Sequence, residues 1–244
     1  MKTQALFRDD AYLRTCEARI VCADAQGLML DRTVFYPRSG GQAGDSGWLT
    51  LPDGKRLRIA NTLRAAYEGS GLDDALHIPE AGQEALLERL IVGHHVQAEI
   101  EWGRRYRHMR LHTAAHLLCA VLPYPVDGCS ITADYARLDF VTSDPIDRDR
   151  VDMQLAALVT GHTAVLIDSI SDDALDVNPD FIRTMSVKPP RGSGQVRVVK
   201  ISGVDVQPCG GTHVANTSEV GAVNVAKVEK KTARTRRVVL ALGG

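Results

Sequence analysis

The sequence predicts an α+β protein in which a domain built mainly of strands, as a small β-barrel or a twisted sheet, precedes a mixed α/β domain. Its 244 residues suit two compact units. The first hundred residues contain mainly short apolar segments bounded by Gly, Pro and Asp, as strands and turns do. Residues 106–122 then carry helix formers, with no Gly or Pro until Pro123. We therefore expect domains at residues 1–103 and 104–244.

In the predicted barrel-like domain each element has its own local signal. Residues 17–37 hold two apolar stretches around a Gly-containing turn, and Pro-Asp-Gly at residues 52–54 predicts a hairpin. Residues 79–93 favour a short helix, and residues 94–102 alternate like a closing strand. The segment RSGGQAGDSG, residues 38–47, holds four glycines and by itself predicts no more than a surface turn.

The second domain is predicted to mix helices with strands. After the helix at residues 106–122, an amphipathic helix with an Asp cap is expected within residues 147–162. Residues 187–194, VKPPRGSG, lack periodicity and are expected to form a loop. Strands are expected at residues 136–142, 196–206, 222–231 and 235–243, the last two as a terminal pair.

Composition excludes several classes of protein. No run approaches the ~18 apolar residues of a membrane helix, and the charged N-terminus is unlike a secretory signal, so we expect a cytoplasmic protein without membrane contact. Five cysteines, an odd number without framework spacing, favour free thiols or a metal ligand over a disulfide scaffold. A net charge of −1 leaves only local basic patches, at residues 104–110 and 227–237, as candidate contacts for nucleic acid.

Two short motifs contain residue types that bind metal ions. On a helix, positions i and i+4 share one face, so His112 and His116 can offer two imidazole nitrogens to one ion. Among 8 histidines such a pair also arises by chance, and by itself it does not decide between a metal site and no function.

A second motif, Cys-x-x-x-His at residues 209–213, favours a metal site over no function. Cys209 and His213 flank two glycines, which favour a tight turn at the end of the preceding strand. Three imidazoles and one thiolate form a plausible tetrahedral site for Zn²⁺. Four protein ligands describe a closed structural site, whereas catalytic zinc keeps a position open, and the sequence leaves this choice open.

Three segments together carry a resemblance to a known family: RLHTAAHLL at residues 110–118, DVQPCGGTHV at residues 205–214 and VFYPRSGGQAGDSG at residues 34–47. They resemble the freestanding alanyl-tRNA editing proteins of the AlaX type, in their medium-length form, and the editing domain of alanyl-tRNA synthetase. The resemblance covers nearly the whole chain. It implies a small N-terminal β-barrel-like domain followed by a two-layer α/β editing domain like the second additional domain of threonyl- and alanyl-tRNA synthetases.

The resemblance also implies an activity, the zinc-dependent hydrolysis of the ester in tRNA(Ala) mischarged with serine or, in some members, glycine. Such an aminoacyl-tRNA deacylase acts in trans on the acceptor end. Zn²⁺ is the implied cofactor, with His112, His116, Cys209 and His213 as ligands, and no catalytic group is implied beyond water bound to the zinc. A synthetase pocket that accepts alanine cannot strongly reject glycine or serine, so a second, hydrolytic selection has a physical rationale.

Further site residues follow from the resemblance and from their neighbourhood in the sequence. A polar group that binds the serine hydroxyl would be left unpaired when alanine enters, and Ser130, Thr132 and Asp134 are candidates for it. The residues expected to support catalysis are Gln42, Asp45 and Gln207. The residues expected to contact the substrate are Gly40, Gly41, Gln42, Gly44, Thr132, Gly210 and Gly211.

Basic side chains in the two local patches are expected to bind acceptor-stem phosphates, because an A-form helix hides its major-groove edges from side chains. A solvated charged face is the alternative. The main candidates for tRNA binding are Arg104, Arg105, Arg107, Lys230, Lys231 and Arg236. No feature of the sequence predicts an oligomeric state.

Two other functions fit the same residues. Threonyl-tRNA synthetase editing domains have similar His-x-x-x-His and Cys-x-x-x-His motifs, although the Gly-rich N-terminal segment argues against an activity of that type. A zinc-stabilised tRNA-binding module without catalysis would also be compatible with four protein ligands.

Overall fold

A computed structural model of the protein describes residues 3–24, 26–67, 70–71, 73–173, 177 and 194–243. The chain divides into two compact units, Met1–Ser39 with Ala43–Tyr106, and Gly40–Gln42 with Arg107–Gly244. The predicted domain boundary after residue 103 stays a prediction, since compact packing does not establish independent folding. The predicted loop at residues 187–194 lies outside the described residues, except for Gly194.

The first unit is built mainly from strands. These are β1 (Gln4–Ala5), β2 (Thr15–Asp24), β3 (Gly27–Leu30), β4 (Arg32–Thr33), β5 (Gly47–Thr50), β6 (Arg56–Arg64), β7 (Ala75–Pro79) and β8 (His95–Ile100). A closed barrel forms in the order β2-β3-β7-β6-β5-β8, and β1 pairs with β4 in parallel. Helix α1 spans Glu84–Leu87, and Leu6–Arg8 form a 3₁₀ turn. The β-barrel predicted from the sequence is confirmed.

Alternating side chains fill the interior of the barrel. Leu57 and Ile59 of β6 are fully buried and share one core with Leu49 of β5 and Ala98 of β8. The predicted hairpin joins β5 to β6. Gly54 in its turn has φ +80°, a conformation that glycine adopts without steric penalty.

Helix α2 spans Trp102–Val121 and carries the His-x-x-x-His motif. It begins earlier than the predicted residue 106, because Gly103 lies in the first turn, where the penalty that glycine imposes on a helix interior applies least. Pro123 follows its end, as expected for a residue that disfavours helix before it. The helix is anchored by an apolar face with the fully buried side chains Leu111, Ala114, Leu117 and Leu118.

The second unit mixes helices and sheets. Besides most of α2 it contains β9 (Val126–Ile131), β10 (Ala136–Val141), α3 (Arg148–Thr160), β11 (Val165–Ser171), β12 (Gln195–Ile201), β13 (Asp205–Pro208), β14 (Val223–Thr232), β15 (Thr235–Leu242) and a 3₁₀ turn at Thr217–Val220. The sheets have the orders β14-β15-β10-β9 and β11-β12-β13. Helix α3 begins at the predicted cap, since the Asp147 side chain accepts from the Arg150 N–H, and it packs on β14.

The predicted α+β class is therefore confirmed. In the second unit the single strand expected at residues 196–206 is divided into β12 and β13, and strands β9 and β11 were not predicted. Strand β9 contains Gly128 and polar residues, and β11 has four consecutive exposed residues, so neither shows the alternation of a half-buried strand. Hydrogen bonding to β10 and to β12 forms these strands instead. Among the helices within the described residues, none combines the length and the apolar character needed to span a membrane.

A buried ion pair holds the first unit together around Arg105. Its guanidinium is 0 % exposed and pairs with Asp45, whose side chain is 1 % exposed. The Nε atom lies 3.0 Å from Asp45 Oδ2, and the remaining N–H groups donate to the carbonyls of Val34 at 2.6 Å and Ala11 at 2.9 Å. Asp45 also accepts from the Tyr36 N–H at 2.7 Å. Both charges are thus fully compensated by hydrogen bonds.

We expect Arg105→Met to lower the free energy of unfolding by about 3–5 kcal/mol, because it leaves the buried Asp45 carboxylate without its partner. The matched change Arg89→Met removes an exposed ion pair with Asp53 and should cost no more than about 1 kcal/mol. Urea denaturation of the two variants and the wild type measures both values. Equal losses would contradict the stabilising effect of the buried pair.

Candidate metal centre

Two chain segments deliver the candidate ligands. Helix α2 presents His112 and His116 one turn apart, and β13 leads directly to Cys209, after which a turn returns the chain at His213. Gly211 in this turn lies against the His112 ring, where a Cβ atom would overlap the imidazole. Gly211 is therefore required for the close approach of the turn to the helix.

The four side chains form one compact group. Their ligand atoms all lie within 4.8 Å of one another, and the three imidazoles are buried. Cys209 Sγ lies 3.5 Å from His112 Nε2 and 3.3 Å from His213 Nε2. Two ligands of one tetrahedral zinc ion are separated by about 3.3–3.8 Å, given bond lengths of about 2.0–2.3 Å. The group could hold a metal ion.

Gln42 fixes the orientation of His112. The Nδ1 atom of His112 lies 2.7 Å from Gln42 Oε1, which also accepts from the Thr212 N–H at 3.1 Å. The amide nitrogen of Gln42 donates to Thr212 Oγ1 at 2.9 Å. The orientation of the amide is fixed because the Thr212 N–H can only donate and therefore requires the amide oxygen as its partner. Because Nδ1 of His112 is engaged as a donor, its Nε2 is the nitrogen that can bind an ion.

The other two imidazoles are held in the same way by different partners. His116 Nδ1 lies 3.0 Å from Asp205 Oδ2, and His213 Nδ1 lies 3.1 Å from Thr113 Oγ1. Ligand histidines commonly donate their second N–H to an oxygen acceptor in this way. Three nitrogens and one sulfur with their outer partners in place are a donor set that fits Zn²⁺.

For Cys209 and His213 the electrostatic surroundings favour the protonation state that binds a metal ion. Burial alone would raise the pKa of the Cys209 thiol, but the adjacent His112 and His213 lower it well below its usual range, toward the thiolate. Burial lowers the pKa of His213 to about 3, so its ring is neutral at pH 7. For His116, burial would lower the pKa, but the hydrogen bond to the Asp205 carboxylate helps to raise it to about 10.

A cleft of about 590 Å³, counting the part open to solvent, adjoins the group. Its walls come from α2, β9, β10, the turn after β13 and Gly40. Most of the lining is apolar, and Cys129 adds a thiol whose pKa burial raises to about 11. The lining residues are Gly40, His112, Ala115, His116, Cys119, Val126, Cys129, Ile131, Leu138, Gln207, Pro208, Cys209, Gly210 and Gly211.

The first part of the Gly-rich segment packs along β9. Ile131 donates its N–H to the Gly41 carbonyl at 2.8 Å, and Gln42 forms an isolated parallel bridge with the same residue. Gly41 has φ +86°, and a Cβ atom there would overlap Cys129 Sγ. The glycine therefore lets the chain lie close to β9, which carries Gln42 to His112.

Three residues with predicted roles are buried in the first unit: Gly44, predicted to contact the substrate, Asp45, predicted to support catalysis, and Arg105, predicted to contact tRNA. These roles stay predictions, and the surroundings of the three residues do not favour them. Gly44 is buried, and a Cβ atom there would overlap the Thr62 carbonyl, so barrel packing is what requires this glycine. Asp45 is not free to support catalysis because Arg105 and a backbone N–H occupy its carboxylate. Arg105 is not exposed to tRNA phosphates because its guanidinium is fully enclosed.

Thr132, predicted to contact the substrate, lies in the turn between β9 and β10. Its hydroxyl oxygen accepts from the N–H groups of Asp134 and Tyr135, each at 3.1 Å. It does not line the cleft, and its hydrogen bonds shape the turn instead. The position of Thr132 therefore does not support the prediction that it binds the serine hydroxyl.

The other basic residues predicted to bind tRNA differ in their surroundings. Arg104 donates to the Gly44 carbonyl at 3.3 Å, and Lys231 Nζ lies 2.8 Å from Asp139 Oδ2. Arg107 and Lys230 are exposed, whereas Arg236 is half-buried and donates to the carbonyl of Ser143. Binding of tRNA by these residues stays a prediction.

Sequence reasoning missed the outer partners Asp205, Thr113 and Thr212. A signal for Asp205 was present, because alternation along a strand puts Asp205, Gln207 and Cys209 of DVQPC on one face. The two threonines had no comparable signal, since their contacts depend on how the helix and the turn meet.

Comparison with known proteins gave consistent matches. Residues 196–239 match the family model described as the threonyl and alanyl tRNA synthetase second additional domain. The chain is 31% identical to the alanyl-tRNA editing protein AlaX-M of Methanosarcina mazei, covering 98% of this chain and 96% of the relative. It is 32% identical to the alanyl-tRNA editing protein AlaX-L of Pyrococcus horikoshii, over 98% of this chain and 58% of the relative. It is 34% identical to the alanine–tRNA ligase of Metallosphaera sedula, over 93% of this chain and 25% of the ligase.

We expect the purified wild type to carry about one zinc ion per chain, and Cys209→Ala to lose most of it, because the variant lacks the sole thiolate of a four-ligand set. Cys22→Ala, in the barrel, is the matched control and should retain the metal. Elemental analysis after desalting measures the content. Retention of full zinc by Cys209→Ala would show that Cys209 is not required to hold the ion.

Asp205→Ala should weaken zinc binding about 10–100-fold, because His116 loses the acceptor that orients its ring. Competition with a chromophoric chelator measures the affinity. Asp127→Ala, an exposed carboxylate on β9, should leave it unchanged. An unaltered affinity in Asp205→Ala would mean that packing alone orients His116.

Proposed function

The chain belongs to the family of alanyl-tRNA editing proteins, and from this premise we propose that it hydrolyses the ester of mischarged tRNA(Ala) in trans. The proposal in full is a zinc-dependent aminoacyl-tRNA deacylase that removes mainly serine, with glycine as a second substrate. Aminoacylated tRNA is made and used in the cytoplasm, so we place the activity there.

One observation carries the proposal. Three imidazoles and a thiol with depressed pKa converge in a group that could hold a metal ion, and three members of that group line an open cleft. A metal site with purely structural function needs no such access. The names of the full-length relatives support alanyl-tRNA editing as the reaction.

When bound, zinc would supply Lewis acidity for hydrolysis of the ester. The protein itself would orient the groups that take part in the reaction. Gln42, Asp205 and Thr113 hold the imidazoles in one arrangement, so little reorganisation is needed during the reaction. No serine or threonine hydroxyl lines the described cleft, which argues against a covalent intermediate on such a nucleophile.

The cleft suits a small amino acid attached to a nucleotide. Ala115, Val126 and Leu138 give it an apolar wall against which a short side chain can lie. Gly40 and Gly210 are exposed at its edge, and the absence of a side chain there allows the backbone to approach a ribose closely. Exposed Arg107 and Lys230 remain our candidates for contacts with acceptor-stem phosphates.

One observation favours a second candidate. Four protein ligands satisfy the tetrahedral coordination of zinc, as in structural sites. A zinc-stabilised tRNA-binding module without catalysis would have this ligand set. An editing hydrolase of the threonyl type is a third possibility that the same experiment separates.

The test is deacylation of seryl-, glycyl- and alanyl-tRNA(Ala), and of seryl-tRNA(Thr), by the purified protein. We expect seryl-tRNA(Ala) to lose its ester rapidly and alanyl-tRNA(Ala) to be spared. His116→Ala should reduce the rate by about 10³-fold, since a bound metal contributes several kcal/mol to such a reaction. His95→Ala, an exposed histidine of β8, is the matched control and should retain full activity.

The outcomes separate the three functions. Binding of all four tRNAs with every ester intact would establish the binding module. Faster loss of serine from tRNA(Thr) than from tRNA(Ala) would establish threonyl-type editing. Full activity in His116→Ala would overturn the dependence on the metal.

A further inference from the structure

Gln207 lies in the cleft but is outside the candidate metal-binding group. Among the described residues that line the cleft, it alone combines a position outside that group with a side chain carrying nitrogen or oxygen. The others are glycines, a proline, aliphatic residues and two cysteines. Gln207 is therefore the natural partner for a polar group on a small substrate side chain.

The orientation of the Gln207 amide is determined by Asp205. Both residues project from the same face of β13, because side chains alternate along a strand. Gln207 Nε2 lies 3.0 Å from Asp205 Oδ1 and 2.9 Å from Oδ2. An ionised carboxylate can only accept hydrogen bonds, so the amide nitrogen must face Asp205 and the amide oxygen must point away.

The amide oxygen remains available as an acceptor. Within the described residues it receives no hydrogen bond, and it is not among the polar atoms sealed from solvent without a partner. Gln207 is only 5 % exposed and lines the cleft. The cleft is thus where a donor can reach this oxygen.

We propose that Gln207 Oε1 accepts a hydrogen bond from the side-chain hydroxyl of a seryl ester, which makes serine the favoured amino acid over glycine and alanine. The inference rests on the proposed function and deepens it. Alanine and glycine leave this fixed acceptor without a donor, and a site built to bind a hydroxyl discriminates against analogues that lack it. The thiols of Cys119 and Cys129 are weak acceptors and compete poorly.

Gln207 Oε1 could instead bind the α-ammonium group of the substrate, and this contact predicts a different effect on the ratio between substrates. Every aminoacyl ester carries an α-ammonium group, which is also a donor. If Oε1 bound that group, Gln207 would contribute equally to the seryl, glycyl and alanyl substrates. The ratio between substrates, and not the rate on one of them, therefore tests the assignment.

The decisive variant is Gln207→Met, which keeps the length of the side chain and removes the acceptor. The matched control is Gln97→Met, at an exposed position on β8. We would measure kcat/KM for seryl-, glycyl- and alanyl-tRNA(Ala) in preparations of equal zinc content. The serine-to-glycine ratio should fall about tenfold or more in Gln207→Met, because one hydrogen bond specific to serine is lost.

Ground-state binding supplies a second readout. Non-hydrolysable 3′-seryl, 3′-glycyl and 3′-alanyl amides of 3′-amino-3′-deoxyadenosine report affinity without catalysis. Calorimetry should show tighter binding of the seryl amide to the wild type, and Gln207→Met should abolish that preference. Gln207→Asn, which keeps the amide but withdraws the oxygen by one methylene, should lower the preference in the same direction and replaces Gln207→Met if the latter fails to fold.

The failures are distinguishable. An unchanged serine-to-glycine ratio, or equal losses on all three substrates, overturns the assignment of Gln207 while leaving the proposed function intact. A wild type that deacylates none of the esters overturns the proposed function, and the amide preference then still decides whether Gln207 recognises the hydroxyl.

Discussion

The candidate site depends on one constraint: a neutral imidazole can offer Nε2 to an ion only while its proton is on Nδ1, and a buried Nδ1–H needs a hydrogen-bond acceptor. Each of the three histidines meets the constraint with a different oxygen, from the amide of Gln42, the carboxylate of Asp205 or the hydroxyl of Thr113. These three acceptors come from distant parts of the sequence. Their common geometry determines where the ligand atoms converge.

Two glycines of the site, Gly41 and Gly211, allow the ligands and their hydrogen-bond partners to approach each other closely enough. Gln42 reaches His112 only because Gly41 lets the chain lie against β9, and the turn after β13 reaches the helix only because Gly211 leaves room for the imidazole. A side chain at either position would separate a ligand from its partner. The Gly-rich segment and the Gly-Gly turn thus serve close packing around the metal-binding group.

Buried charge is compensated in both units, but with different consequences. In the first unit the Arg105 and Asp45 pair is enclosed by protein, and its charges are compensated within that unit. In the second unit Asp205 is shared between His116 and Gln207, so one carboxylate orients a candidate ligand and also a group in the cleft wall. In our proposal this sharing couples the metal site to the recognition of the amino acid.

The sequence by itself determined the α+β class, the helix with the histidine pair and the turn between Cys209 and His213, because these depend on periodicity, turn residues and local spacing. The resemblance of three motifs to a known family added the β-barrel and the role of the four residues as candidate ligands of one ion. Only the tertiary structure decided which polar residues support that group. Asp45 and Arg105 looked available in the sequence but neutralise each other in the first unit, whereas Asp205 and Thr113 gave no clear signal yet contact the ligands. The physical reason is that a hydrogen-bond partner is selected by distance in three dimensions, which local sequence patterns do not encode.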